Sequence, residues 1–145
     1  YGRIEDRDKI SKEILDEAKM NIIESYARIN TINDLKASLC KNGPALIAFP
    51  VYNYTDQMWI QRNNESSEGG HAMTVVGYNN DGFIIRNSWG QSWGDNGYTI
   101  YKYKDWSTHW EIWSTVDKKD IFQEPDFDSD TEYEQEINCF KCTLC

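Results

Sequence analysis

His71 and Asn87 stand sixteen residues apart, each inside a distinctive short motif. The first reads Gly69-Gly70-His71-Ala72-Met73-Thr74-Val75-Val76-Gly77-Tyr78. The second reads Asn87-Ser88-Trp89-Gly90-Gln91-Ser92-Trp93-Gly94-Asp95-Asn96-Gly97-Tyr98. A histidine opening one apolar strand and an asparagine closing the next can meet across a hairpin. An imidazole so placed can take a nucleophile's proton, and an amide oxygen can fix the ring's tautomer and rotation without adding charge. A thiol is the nucleophile this pairing suits. Thiolates attack carbonyls, thiols do not, and a free cysteine is mostly protonated near neutral pH unless a base sits beside it. A lone histidine in an apolar strand is ordinarily a satisfied core residue, and an asparagine at a strand end is ordinarily a turn residue. The glycine pair before His71 and the Ser-Trp-Gly after Asn87 favour the chemical reading of both.

Positioning such a pair takes a folded frame, and the composition allows one. With 145 residues, 39% hydrophobic and 14% aromatic, the chain can bury one core of ordinary size. Net charge is −9, and the excess falls late: positions 117 to 136 hold nine Asp or Glu against two Lys. No basic patch offers itself to nucleic acid, and a polyanion would be repelled. No apolar run reaches 18 residues, so no membrane-spanning helix is expected. The chain opens on Tyr1 without a signal-like segment, which reads as a processed product or an excised piece.

Along the chain, residues 5 to 18 are charged but place Ile10, Ile14, Leu15 and Ala18 on one side, as a surface helix does. From Met20 to Ile29 the period becomes two, which reads as a strand. Thr31 caps a helix, with Asp34 completing an approximate capping box. Ile32, Leu35 and Leu39 form its buried side, and Asn42-Gly43-Pro44 ends it. Ala45 to Val51 is a buried strand, and 53 to 68 a polar excursion with Trp59 in its middle. The clearest element is a hairpin, His71 to Tyr78 and Phe83 to Asn87, turning at Asn79-Asn80-Asp81-Gly82. Tyr98 to Tyr103 and Glu111 to Val116 supply further strands. The pattern predicts an α+β domain over 1–117: a helix at about 5–18, then a sheet domain over 19–117 with peripheral helices. An acidic tail with little fold of its own occupies 118–145.

The run from GGHAMTVVGY through IIRNSWGQSWGDNGY, with GPALIAF upstream, closely resembles the C-terminal, right-hand half of papain-family cysteine peptidases. The likeness begins near Ala18-Lys19 and runs to about Val116, roughly two thirds of the chain. It implies an antiparallel barrel-like sheet with helices at its ends, and it makes His71 the catalytic base and Asn87 its orienter. It further implies that Trp89 covers their hydrogen bond, that Gly69 and Gly70 border the cleft, and that Gly70 and Ala72 line the pocket for the second residue before the scissile bond. Ser88 and Gly90 flank these residues and support them, while Gly90, Gly94 and Gly97 let a tight loop run beneath the site. No metal or cofactor is required.

The family's nucleophile, in a Cys-Gly-x-Cys-Trp-like segment, and its oxyanion glutamine have no counterpart in this sequence. The resemblance therefore implies a partner, an N-terminal cysteine-bearing half on the same precursor or a separate chain, acting with it on a peptide or protein substrate. This chain alone would be inactive. The alternative is a papain-like module without chemistry, serving as a structural or binding subunit of an assembly. Cys40 reads as a small core hydrophobe, and the body as free of disulfides, which fits an intracellular, microbial or virion-associated origin better than a secreted one. Cys139, Cys142 and Cys145 have thiolate spacing, but zinc takes four ligands and only three are present. A free tail, disulfides and metal binding all stay open there. His109 reads as structural.

Overall fold

The computed structural model describes residues 10–117. The acidic tail, its three cysteines and the first turn of the helix expected over 5–18 lie outside that range. Within it, two helices and six strands follow one another: α1 Lys12–Met20, β1 Ile23–Arg28, α2 Ile32–Asn42, β2 Ala45–Pro50, β3 Gly70–Tyr78, β4 Gly82–Arg86, β5 Tyr98–Lys102 and β6 Glu111–Asp117. The strands form one antiparallel sheet in the order β1-β6-β2-β3-β4-β5. This is the α+β architecture that the sequence predicts.

Strand alternation explains where the core lies. Ile47 and Phe49 of β2, Met73 and Val75 of β3, Phe83 and Ile85 of β4, Tyr101 of β5 and Ile112 of β6 are buried together. Leu35 of α2 closes this layer, and Met58 and Trp59 reach it from the polar excursion. Phe49, Trp59 and Tyr101 pack ring on ring, with centroids 4.5 to 5.3 Å apart. The opposite face carries Leu46, Ala48, Ala72, Thr74 and Val76, and Leu46 stays exposed.

Helix α2 behaves as its sequence directs. Thr31 Oγ1 accepts the Asp34 N–H at 3.1 Å, and Gly43 ends the helix at φ 88°. The excursion is tied down from inside. Asn53 donates to the Ile60 carbonyl and to Glu65, and the Thr99 hydroxyl donates to the Asp56 carbonyl at 2.9 Å.

Three expectations need correction. Cys40 is exposed, 3.5 Å from the Tyr78 hydroxyl, and it is disulfide-bonded, so it is neither a core residue nor part of a disulfide-free body. It falls on the outward side of α2, away from Leu35. Helix α1 starts at Lys12, where Ser11 caps it, and runs on to Met20, so residues 10 and 11 fall outside it and the following strand starts at Ile23 instead of Met20; α1 lies on the surface as expected, with no buried residue. The strand expected to continue to Tyr103 instead ends at Lys102, where Tyr103–Asp105 tighten into a 3-10 turn.

Candidate active site

The hairpin brings His71 and Asn87 together. Thr74 of β3 faces Arg86 of β4, so the next residue, Asn87, arrives at the His71 end of the ladder. His71 Nε2 and Asn87 Oδ1 lie 2.8 Å apart. Asn87 is 9% exposed, and its Oδ1 also accepts the Ser88 backbone N–H at 2.7 Å. That second bond fixes the amide's orientation, because only the oxygen can accept from a backbone N–H. His71 must then donate from Nε2, which leaves Nδ1 as the nitrogen able to take a proton.

Trp89 stacks on the imidazole, with centroids 4.7 Å apart and planes 27° from parallel. Its indole thus lies against the ring that makes the half-buried His–Asn bond. Trp93, almost fully buried, meets Trp89 edge-on at 5.8 Å. The loop beneath is closed by the Asn87 N–H bonding to the Gly97 carbonyl at 2.9 Å and the Gly97 N–H to the Trp93 carbonyl at 2.8 Å. Gly94 sits at φ 58°, where an added Cβ would lie 2.3 Å from the Tyr98 carbonyl oxygen. Gly90, at φ 93°, accepts the Trp93 N–H.

The other predicted positions gather around the same pair. Gly69, at φ 122°, accepts the Val51 N–H at 2.9 Å and brings the chain into β3. Ala72 faces Ala48 across the β2–β3 ladder on the outer face. Gly70 shows a feature that its sequence does not announce: the Trp110 indole lies over it, so an added Cβ would be 2.1 Å from the ring. Trp110 is held there by its own N–H bonding to the Ala48 carbonyl at 2.8 Å, while Arg28 donates to its carbonyl at 3.2 Å. On the other flank, Tyr54 from the excursion packs against Trp89 at 5.5 Å, and its hydroxyl donates to Glu68. That carboxylate holds the Tyr54 phenol above its ordinary range. Neither Trp110 nor Tyr54 carries a motif; only the folded chain sets Trp110 over Gly70 and Tyr54 against Trp89.

His109 lies elsewhere, its Nδ1 2.8 Å from the Tyr101 hydroxyl and its ring against Trp106. Burial is the larger reason its pKa is lowered, with the Arg28 charge adding to it. Among the described residues, no three His, Cys, Asp or Glu side chains cluster to hold a metal ion, and no helix is long and apolar enough to cross a membrane.

A hairpin-borne histidine whose ring is bonded by an asparagine and covered by a tryptophan is an arrangement of thiol hydrolases, and comparison with known proteins agrees. Residues 5–116 match the papain family of cysteine proteases. The chain belongs to that family. It is 33% identical over 123 residues to an uncharacterized peptidase C1-like protein of Acanthamoeba polyphaga mimivirus, covering 72% of this chain and 40% of the other. Against Peptidase 1 of Dermatophagoides pteronyssinus it is 46% identical over 92 residues, 54% of this chain and 29% of that protein. Xylellain, a cysteine protease from Xylella fastidiosa, superposes with a TM-score of 0.62 at 30% identity, over 75% of this chain and 46% of that structure. The chain thus spans less than half the length of these relatives.

Proposed function

We propose that this chain is the base-bearing half of a papain-like cysteine endopeptidase, with His71 and Asn87 as its catalytic pair. The nucleophilic cysteine and the oxyanion glutamine belong to a partner half, on the same precursor or a separate chain. The observation that carries this reading is the 2.8 Å bond from His71 Nε2 to an amide whose orientation is fixed. It presents Nδ1 as a base and leaves the charge of a thiolate–imidazolium pair uncompensated by any carboxylate. Taking the thiol proton, His71 generates the thiolate, which adds to the substrate carbonyl carbon. As the C–N bond breaks, the imidazolium gives its proton to the leaving amine. Water, deprotonated by the same nitrogen, then splits the thioester and restores the thiol. Trp89 keeps the orienting bond dry, and Gly70 and Ala72 leave room on the acyl side for a substrate side chain.

The test uses the intact gene product. A thiol-reactive peptide probe should label one cysteine of the partner half, and His71→Ala should lose both labelling and peptide hydrolysis. A correctly folded parent protein that takes no label and cleaves no peptide would leave the structural or binding module as the better reading.

A further inference from the structure

Two differently built flanks border His71. Strand alternation sends Gly70 and Ala72 to the outer face, where Trp110 and Ala48 complete a small-floored apolar wall. The imidazole points the other way, onto Trp89, and beyond Trp89 stand Tyr54 and Glu68. Tyr54 is 65% exposed, with its hydroxyl bonded to Glu68 and its ring against Trp89. Its neighbour Thr55 bonds to the Asn53 amide oxygen at 2.6 Å, and the residues after it anchor the excursion in the core through Met58 and Trp59. Glu68 is held at its backbone by an N–H bond to the Val51 carbonyl at 2.8 Å. An exposed aromatic ring bonded to a carboxylate beside a second ring adds little to stability, since its own burial is slight.

We propose that Tyr54, Trp89 and Glu68 form a binding site for a basic side chain, lysine or arginine, on the substrate residue that follows the scissile bond. The site rests on the peptidase reading above. If the acyl-side residues lie over Gly70 and Ala72, a peptide crossing the imidazole sets its leaving-side residue down on Trp89 and Tyr54. The chemistry of that surface selects a cation. Aromatic faces attract ammonium and guanidinium groups. One Glu68 oxygen accepts the hydrogen bond of the Tyr54 hydroxyl, and a carboxylate has further acceptor positions to offer. Among the described residues no cation pairs with Glu68; Arg62, from the same excursion, donates its backbone N–H to Glu65 and its guanidinium to Thr55 instead.

The test is cleavage, by the intact enzyme, of fluorogenic peptides identical except for Lys, Arg, Gln or Glu immediately after the scissile bond. Wild type should favour Lys and Arg over Glu by roughly tenfold in kcat/KM, from one cation–π contact and one exposed carboxylate. That ratio should shrink severalfold on going from roughly 0.1 to 1 M salt, as the Debye length falls. Glu68→Gln and Tyr54→Ala should each lower the Lys-to-Glu ratio about threefold, whatever they do to overall rate. Hydrolysis with no charge preference, or a preference insensitive to both salt and Glu68→Gln, overturns this site while leaving the peptidase reading intact. No hydrolysis of any peptide overturns both.

Discussion

Asn87→Ala is the sharpest probe of the orienting bond. The substitution removes the acceptor 2.8 Å from His71 Nε2 and strands an N–H in a half-buried position under Trp89. Leaving a buried donor without its partner costs about 1–3 kcal/mol. The Trp89 stack survives, so the ring keeps its plane and loses mainly its fixed tautomer and rotation. If that cost falls on the transition state, where the imidazole becomes charged, kcat should drop roughly 10- to 100-fold, at about 1.4 kcal/mol per factor of ten. KM should move little, because Asn87 is buried behind the indole and does not touch substrate. Steady-state kinetics on the intact enzyme, with circular dichroism to confirm the fold, measures both. A folded Asn87→Ala enzyme within about twofold of wild type would refute the orienting role. A loss seated mainly in KM would refute it too.

Other predictions follow from geometry away from that bond. Gly94→Ala should destabilise the intact protein by about 2–4 kcal/mol in denaturant melts, since φ 58° disfavours a side chain and the Tyr98 carbonyl blocks the new methyl. Gly70→Ala should displace the exposed Trp110 ring, shift tryptophan emission and cost only about 1 kcal/mol; in the double variant with Trp110→Ala most of that cost should vanish. His109 holds its proton less well folded than unfolded, chiefly through burial. The unfolded chain therefore binds more protons as pH falls through the ordinary histidine value of about 6.5 toward the lowered one, and stability is lost across that window. Replacement by Gln should flatten that acid limb of the stability curve; an unchanged limb would assign it to other groups.

Much of the frame can be read from residue order alone. Alternation and the Asn79–Gly82 turn define the β3–β4 hairpin, and Thr31 with Gly43 bounds α2, because these signals are local. His71 and Asn87 are legible for the same reason: both stand just past the same end of one hairpin's ladder. Long-range packing is not. Met58 and Trp59 sit in a polar stretch and still enter the core, since the excursion folds back across β5 through Thr99. Cys40 looks like a core residue by type, but α2 turns it outward, a matter of helical phase. Trp110 reaches Gly70 from 40 residues away and Tyr54 reaches Trp89 from 35, and nothing in their neighbourhoods foretells it.

The hairpin that brings His71 to Asn87 has a wider consequence. His71 and Asn87 stand on the two arms of a single hairpin, so this chain alone sets their mutual distance. A nucleophile delivered on another polypeptide would therefore meet a pair whose spacing β3 and β4 have already set, on a sheet that β2 and α2 complete.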